Sequence, residues 1–335
     1  MENDELYMRR CLQIARNGSS LARPNPSVGA VIVYENRIIG EGFTSAFGGN
    51  HAEVNAINHV IDKSLLLKAT LYVSLEPCSH FGKTPPCCDL VVAYKIPRVV
   101  IGAPDPNPKV AGMGIARIRE SGAEITIGIL EKECIASNKH FFTFHNKKRP
   151  FIILKWAQSA DGFIAPKYKN SQLPVWISND VSRQFSHKLR SEVQAILVGT
   201  KTVLDDNPTL TTRNWSGKNP VRIVIDKDYK LSKALNIYDN QSETIVIGRN
   251  EIDFKTNVAV HLSNFLYQKN IQSVIIEGGS KTLQTFIDAD LWDEAYVFKS
   301  EILLINGTKA PNFDKIVYEQ KNILNDHLHI YHNHD

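Results

Sequence analysis

The chain has 335 residues, of which 43% are hydrophobic and 22% are charged, an ordinary composition for a globular protein with room for two domains. The formal net charge of +4 is too small to indicate nucleic-acid binding by itself, although it suits a substrate that carries phosphate. No apolar run approaches the roughly 20 residues of a membrane span. The first residues also lack the pattern of a signal peptide, so we expect a cytoplasmic protein with reduced thiols.

The first half alternates predicted strands with helices of about ten residues. In chain order the patterns predict a helix over 4–16, a hairpin over 28–42, a helix over 51–61, a strand over 69–77, a helix over 88–96, a strand over 98–105, a helix over 114–122 and a strand over 123–130. The hairpin is expected to turn at Glu35 and Asn36. Such alternation indicates a layered α/β domain with a largely parallel sheet.

The second half repeats the alternation with different motifs. We expect strands over 151–165, which enters a turn, and over 195–199, 221–226, 243–248 and 295–305, with a helix over 180–193. Residues 273–291 predict a strand, a glycine turn and a helix. The basic run HNKKRP at 145–150 predicts a boundary between a domain over 1–145 and a domain over 150–335.

Three of the five cysteines fall within the stretch EPCSHFGKTPPCC at 76–88, and a His-x-Glu pair lies upstream at His51 and Glu53. One imidazole and two thiolates fill three positions on a tetrahedral zinc and leave the fourth open for water, whose pKa the metal lowers. We therefore predict His51, Cys78 and Cys87 as zinc ligands. Glu53 is predicted to carry the proton from water to a leaving amine, as in zinc-dependent nucleobase deaminases.

Two features keep a structural zinc site open as the alternative. Eight residues separate Cys78 from Cys87, which departs from the C-x-x-C spacing of those deaminases, and closely spaced Cys and His residues can also close a four-ligand site. We favour catalysis because a structural site has no use for Glu53. Cys88 cannot easily point the same way as its neighbour, so it is predicted to be a bystander. Cys11 and Cys134 are predicted to be ordinary buried thiols.

The stretches RPNPSVGAVIV, HAEVNAI, EPCSHFGKTPPC and APDPNPKVAGMG together resemble the deaminase domain of the bifunctional riboflavin-biosynthesis deaminase/reductase. The resemblance covers about residues 1–145 and implies a cytidine-deaminase-like three-layer fold. The implied substrate is 2,5-diamino-6-ribosylamino-4(3H)-pyrimidinone 5′-phosphate. The resemblance favours substrate contacts by Asn25, His80 and Asp105. Lys83 and Thr84, in the insert between the cysteines, are further candidates for donors to phosphate or sugar.

No GxGxxG follows the first strand of the second half, so we do not expect a standard Rossmann site. EGGSKT at 277–282 instead predicts a strand-to-helix turn that could hold a phosphate, with a plain tight turn as the alternative. KWAQSADGFIA and VGTKTVLDDNPTLTTR resemble the reductase domain of the same family, which has a dihydrofolate-reductase-like fold. The implied reaction is hydride transfer from NADPH, which reduces the ribosyl side chain to ribityl.

That resemblance also implies which residues of the second half face cofactor and substrate. The cofactor-facing residues would be Ala157, Trp176, Thr202, Asp206, Gly279 and Ser280. The substrate-facing residues would be Lys155, Asp161, Arg190, Leu210, Arg213 and Glu277. Arginine suits a phosphate because its planar fork can bind two oxygens at once. The family further implies a homodimer.

Three hypotheses about function follow. The leading one is a single chain that carries zinc-dependent deamination and NADPH-dependent reduction. A nucleic-acid-editing zinc deaminase with an accessory binding domain is the second, although the modest net charge and scattered lysines argue against it. The third is a non-catalytic, zinc-stabilised binding protein, against which Glu53 beside the ligand His51 argues.

Overall fold

The structure is a computed structural model that describes residues 2–19, 21–81, 85–169, 172 and 174–333. It divides into two compact units, Met1–Lys147 and Lys148–Asp335. None of the helices in the described ranges has the length and apolar character that a membrane crossing requires.

The first unit is built on one five-stranded sheet with the strand order β2-β1-β3-β4-β5. Its helices are α1 (Glu2–Ala15), α2 (Ala52–His59), α3 (Cys87–Ala93), α4 (Met113–Glu120), α5 (Glu131–Ser137) and α6 (Lys139–Lys147). Its strands are β1 (Gly29–Tyr34), β2 (Arg37–Phe43), β3 (Thr70–Leu75), β4 (Arg98–Ala103) and β5 (Glu124–Ile127).

The sheet of the first unit is mixed. β3, β4 and β5 pair in parallel, but β1 pairs antiparallel with both β2 and β3. The predicted hairpin turns at Glu35 and Asn36, whose φ angles of 47° and 59° suit a tight turn between antiparallel strands. The expectation of a largely parallel sheet therefore holds only for the β3–β5 half, because a hairpin joins its strands antiparallel.

Two helices at the end of the first unit were not among the predicted elements. α5 and α6 follow β5, and α6 continues to Lys147. Phe141, Phe142 and Phe144 are buried on α6, so the packing of these three aromatic side chains holds the helix. The basic run at 145–150, where the domain boundary is predicted, is thus helical over its first residues.

The second unit is built on an eight-stranded sheet with the order β10-β9-β8-β11-β6-β12-β15-β14. Its helices are α7 (Asp180–Glu192), α8 (Thr200–Asp206), α9 (Val258–Gln268) and α10 (Ser280–Asp288). Its strands are β6 (Phe151–Gln158), β7 (Phe163–Pro166), β8 (Ala195–Gly199), β9 (Val221–Ile225), β10 (Thr244–Ile247), β11 (Ser273–Ile276), β12 (Glu294–Ser300), β13 (Gly307–Lys309), β14 (Glu319–Ile323) and β15 (Asp326–His332).

The strands from β10 to β12 are parallel, and β15 and β14 extend the sheet antiparallel. β8, β11 and the first residues of β6 are almost wholly buried, which explains their continuous apolar runs. The sequence pattern predicts these strands but not the β14–β15 hairpin. β14 is an exposed edge strand of polar residues, so it carries little apolar signal. The predicted strand over 295–305 ends at Ser300.

Candidate active sites

Three sulfur and nitrogen donors meet in the first unit. His51 precedes the first turn of α2, Cys78 lies in the loop after β3, and Cys87 begins α3. His51 Nδ1 is 3.4 Å from Cys78 Sγ and 3.4 Å from Cys87 Sγ. The three donor atoms lie within 4.8 Å of one another, and no other His, Cys, Asp or Glu of the described ranges belongs to the group. The structure therefore brings together the three residues predicted as ligands.

Local packing and hydrogen bonds hold these donors in place. α2 lies directly on β2, because a side-chain carbon on Gly42 would be 2.3 Å from the amide nitrogen of Ala56. This close approach fixes the start of the helix, where His51 lies. The Cys87 amide donates a hydrogen bond to Cys78 Sγ at 3.3 Å, and the Cys88 amide donates to the Cys78 carbonyl at 3.2 Å. Hydrogen bonds within the chain thus join the two ligand-bearing segments.

The donor set fits a zinc ion. Hydrogen bonding from Cys87, helped by His51, lowers the pKa of the Cys78 thiol, whereas the Cys78 sulfur raises the pKa of Cys87 well above its usual range. Two neighbouring thiolates repel each other, and a bound cation offsets that repulsion. One imidazole and two thiolates suit zinc, and three protein ligands leave a fourth tetrahedral position for water or substrate.

Glu53 lies beside this group, in the first turn of α2. Its side chain is buried, with only 3% of the residue exposed. Burial raises the pKa of Glu53 to about 7, and the charge of Cys78 contributes to the increase. A carboxyl group whose pKa lies close to neutrality can both accept and release a proton at physiological pH.

The remaining cysteines lie outside the metal group. The Cys88 thiol donates to Asp89 Oδ1 at 3.4 Å, and the Cys11 thiol donates to the Tyr72 carbonyl at 3.4 Å. Cys11, Cys88 and Cys134 are all buried in the hydrophobic core of the first unit. Their placement agrees with a packing role.

The predicted deaminase substrate contacts have different environments. Asn25 is half-buried in the turn before β1, and His80 is exposed. Asp105 is buried after β4, where it accepts a backbone hydrogen bond from the residue two positions later at 2.7 Å. Burial raises the pKa of Asp105 to about 7. Lys83 and Thr84 lie outside the described residues.

The second unit contains a cavity of about 1280 Å³ at the carboxyl ends of β6, β8 and β11, the edge of a parallel sheet where α/β proteins bind ligands. Every residue predicted for the reductase site except Asp161 lines it, that is Lys155, Ala157, Trp176, Arg190, Thr202, Asp206, Leu210, Arg213, Glu277, Gly279 and Ser280. The volume exceeds the roughly 300–1,000 Å³ of usual ligand pockets.

A buried ionic group forms one wall of this cavity. Glu277 accepts two hydrogen bonds from Arg190, at 2.7 and 2.8 Å, and lies 3.7 Å from Lys155 Nζ. Burial alone would raise the pKa of Glu277, but the charges of Arg190 and Lys155 outweigh it and lower the pKa to about 2. Arg213 lines the same cavity and adds another positive charge. The excess of positive charge suits an anionic ligand.

The glycine turn between β11 and α10 forms another part of the wall. Gly279 has a φ angle of +62°, and a side-chain carbon on Gly278 would be 2.9 Å from Val198 and 3.1 Å from Thr202 Oγ1. The turn therefore packs closely against β8 and α8. Because Gly279 and Ser280 lead into the first turn of α10, their backbone N–H groups are placed to bind an anion.

Asp161 is the one residue predicted for the reductase site that is not among those lining the cavity, and its contact with substrate stays a prediction. It is exposed, and its carboxylate accepts hydrogen bonds from Ser159 Oγ at 2.6 Å, from the Leu304 amide at 3.2 Å and from the Ile305 amide at 2.7 Å. The side chain thus closes its own turn and fixes a neighbouring loop. This is the usual role of Asp in turns, which a motif resemblance does not exclude.

Lys169 and His187 are among the polar residues of the cavity wall that were not predicted from the sequence. Lys169 pairs with Asp206, and His187 directs Nδ1 at the Thr211 carbonyl, 2.9 Å away. Burial lowers the pKa of His187 to about 4, and the nearby charge of Arg190 contributes. His187 lies three positions before Arg190 on α7, so helical spacing was the signal that could have found it.

Comparison with known proteins places these sites in a family. The description "Cytidine and deoxycytidylate deaminase zinc-binding region" matches residues 1–103, and "RibD C-terminal domain" matches residues 150–313. The riboflavin biosynthesis protein RibD of Aquifex aeolicus is 37% identical over 322 residues, which cover 91% of this chain and 89% of that protein. The chain belongs to the RibD family of riboflavin biosynthesis proteins.

Other RibD proteins agree over nearly the whole length. The Escherichia coli protein is 35% identical, with 93% of each chain covered. A crystal structure from Thermotoga maritima, of a diaminohydroxyphosphoribosylaminopyrimidine deaminase/5-amino-6-(5-phosphoribosylamino)uracil reductase, has a TM-score of 0.87 and 36% identity, with 99% of each chain covered. The predicted family, fold class and pair of activities are confirmed. This RibD chain is a bifunctional enzyme with a zinc-dependent deaminase and a reductase activity that act on small molecules in riboflavin biosynthesis.

Proposed function

We propose that this chain deaminates 2,5-diamino-6-ribosylamino-4(3H)-pyrimidinone 5′-phosphate in its first unit and then reduces the ribosyl side chain to ribityl with NADPH in its second. The observation that carries the proposal is the convergence of His51, Cys78 and Cys87 beside the buried Glu53, in a chain whose second unit holds a positively charged cavity. The name of the Thermotoga maritima relative contains both reactions.

In the deaminase unit, His51 Nδ1 and the sulfurs of Cys78 and Cys87 would hold zinc. The bound zinc would activate water for attack on the amino-bearing carbon of the pyrimidine ring. Glu53 accepts the proton that water loses and delivers it to the amine, which leaves as ammonia. Asn25, His80 and Asp105 stay candidates for substrate contact, and the buried position of Asp105 after β4 supports its candidacy most directly.

In the reductase unit, NADPH would supply the hydride, so the protein mainly positions and polarises the substrate. Gly279 and Ser280 would hold a cofactor phosphate at the start of α10. The other proposed cofactor contacts are Ala157, Trp176, Thr202 and Asp206. Arg190 and Arg213 would attract the substrate phosphate, with Lys155, Glu277 and Leu210 completing that side of the cavity.

The proposal also includes the domain boundary, the cellular location and the binding partners of the chain. We place the domain boundary between residues 145 and 150, and the division into units at Lys147 supports it. A cytoplasmic location suits the thiol ligands, which must stay reduced to bind metal. We also propose a homodimer that binds no nucleic acid; the small net charge of +4 supports the second part.

The test is Glu53→Gln, with ammonia release from the pyrimidine phosphate as the assay. We expect the variant to keep one zinc per chain by metal analysis, and to lose about 10²- to 10⁴-fold in turnover because the proton carrier is gone. Reduction of the deaminated compound by NADPH, measured on the same preparation, is the control and should not change. Full ammonia release by the variant would contradict the role of Glu53. Ammonia release by the native chain from cytidine or RNA, and none from the pyrimidine phosphate, would favour the nucleic-acid-editing alternative.

A further inference from the structure

We propose that Glu76 is a positioning residue of the deaminase site, whose buried carboxylate ties the loop after β4 to the loop that carries Cys78. The inference rests on the proposed deaminase function of the first unit. Glu76 directly follows β3 and is separated from Cys78 by one proline. It is a charged residue with only 3% of its surface exposed.

The carboxylate of Glu76 accepts four backbone hydrogen bonds from one neighbouring segment. Oε2 accepts from the amides of Asp105 and Gly112, at 3.2 and 3.0 Å. Oε1 accepts from the amides of Gly114 and Ile115, at 3.1 and 3.2 Å. One side chain therefore fixes both ends of the segment 105–115.

These contacts explain how a buried charge is tolerated at this position. No Lys, Arg or His side chain of the described residues forms an ion pair with Glu76. Its partners Gly112, Gly114 and Ile115 lie at the N-terminal end of α4, where backbone N–H groups have no partner within the helix and the helix dipole favours a negative charge. Glu76 thus caps α4 from a different part of the chain.

The same helix end lies against the ligand-bearing loop. A side-chain carbon on Gly114 would be 2.1 Å from the carbonyl oxygen of Pro77, so the start of α4 touches the backbone between Glu76 and Cys78. On the other side, the Glu76 amide donates to the Ala103 carbonyl at 2.9 Å. Glu76 therefore connects the end of the sheet, the loop of a zinc ligand and the start of α4.

The segment that Glu76 fixes contains the candidate substrate contact Asp105. Its own hydrogen bonds are largely internal: the Asn107 amide donates to Asp105 Oδ1 at 2.7 Å, and the Val110 amide donates to the Asn107 carbonyl at 2.8 Å. Apart from one long hydrogen bond, of 3.5 Å from Ser79 Oγ to the Lys109 carbonyl, these bonds shape the loop but do not orient it relative to Cys78. We infer that this orientation depends on Glu76, so its loss should weaken substrate binding more than it disturbs the sheet or the ligands.

The test compares Glu76→Gln with the native enzyme in the deaminase assay. Glutamine has nearly the same shape, but its NH₂ group would face two of the four N–H donors, so two bonds are lost. Lost hydrogen bonds to a charged group correspond to about a 10- to 100-fold fall in deaminase kcat/KM, which we expect mainly as a higher KM. Zinc content and the NADPH-dependent reductase rate should stay at native values. Glu120→Gln, at the exposed end of α4, is the matched control and should behave like the native enzyme.

Two further variants separate positioning from packing. Glu76→Asp keeps both acceptor oxygens and the charge, so it should recover part of the lost kcat/KM, whereas a purely volume-dependent role would make the shorter residue worse than glutamine. Gly114→Ala leaves Glu76 intact but pushes α4 away from Pro77, and it should also raise KM with zinc retained. The proposal is overturned if Glu76→Gln and Gly114→Ala both keep the native KM, or if Glu76→Gln loses its zinc. If the native chain itself releases no ammonia from the pyrimidine phosphate, the proposed function has failed instead.

Discussion

The zinc-ligand group of His51, Cys78 and Cys87 and the ionic group of Lys155, Arg190 and Glu277 are both polar and largely buried, but they differ in how their charge is balanced. In the ionic group a carboxylate accepts two hydrogen bonds from one guanidinium and lies near an ammonium. In the zinc-ligand group one sulfur stabilises its negative charge at the expense of the other, whose pKa is raised. The zinc-ligand group therefore suits a bound cation, whereas the ionic group is already paired within the protein.

This difference indicates which kind of ligand each site binds. A donor set that cannot fully ionise alone gains its complete charge only with the metal, so metal binding and thiol deprotonation occur together. In the reductase cavity the positive charges of Lys155, Arg190 and Arg213 outnumber the negative charge of Glu277, which leaves this wall positive toward an anion. Perturbing either group should therefore affect one activity and spare the other.

Removal of zinc should have the largest effect, a loss of deaminase activity. Chelation followed by gel filtration should reduce ammonia release to background, because activation of the attacking water is lost. NADPH oxidation with the deaminated substrate should not change, since the cavity that we assign to it lies entirely within the second unit. Re-addition of zinc is the control and should restore ammonia release. A parallel loss of both activities would show that the two sites are not independent.

Glu277→Gln should have the next largest effect, a loss of unfolding free energy in the second unit. The change leaves Arg190 and Lys155 as unpaired buried charges, and breaking a buried pair in this way costs about 3–5 kcal/mol of unfolding free energy. All four tryptophans, at positions 156, 176, 215 and 292, belong to the second unit, so urea unfolding followed by tryptophan fluorescence reports on that unit alone. Deaminase activity should be retained.

The matched control for Glu277→Gln is Asp228→Asn. Asp228 pairs with Arg249 on the surface of the same unit, and both side chains are well exposed. The urea midpoint of this control should stay near that of the native chain, because exposed ion pairs contribute little. A similar shift for both variants would mean that burial of the Glu277 group does not determine its contribution.

The difference between the zinc-ligand group and the ionic group also explains which features of each site could be predicted from the sequence. The three donors that the structure brings together stand in two short motifs, and the chemistry of zinc limits which residue types can serve, so their proximity could be predicted. The pairing of Arg190 with Glu277 joins residues 87 positions apart, which no local pattern reveals. Resemblance could indicate that both face the cavity, but not that they bind each other.

Other features depend on contacts between distant parts of the chain. The carboxylate of Asp161, which the resemblance assigns to substrate, accepts hydrogen bonds from the backbone of residues 304 and 305. Glu76 was quoted in a motif yet given no role, because its four partners begin 29 residues later along the chain. The β14–β15 hairpin was not predicted because β14 is an exposed edge strand without an apolar face. Tertiary contacts, rather than local preference, decide each of these positions.

A change of pH is expected to have a smaller effect on the unfolding free energy of the second unit. Burial, with the charges of Arg190 and Arg213, lowers the pKa of His187 from 6.5 to about 4. Between these two values the unfolded chain binds a proton that the folded chain does not, so the unfolding free energy should fall as pH decreases from 6.5 to 4. His187→Asn should make this dependence shallower in tryptophan-monitored urea unfolding at several pH values. An unchanged slope would contradict the neutral, buried imidazole.

The smallest effect should come from Cys88→Ser, which tests how sharply the zinc-ligand group is bounded. Cys88 is adjacent to a predicted ligand, but its thiol points to Asp89 and packs in the hydrophobic core. The hydroxyl of serine can keep that hydrogen bond, so we expect about 1 kcal/mol of lost stability or less, with native zinc content and deaminase turnover. Cys87→Ser, one position away, should lose both zinc and turnover. If the two variants lost zinc equally, the ligand would not be specified by the start of α3, and the assignment of Cys87 over Cys88 would be wrong.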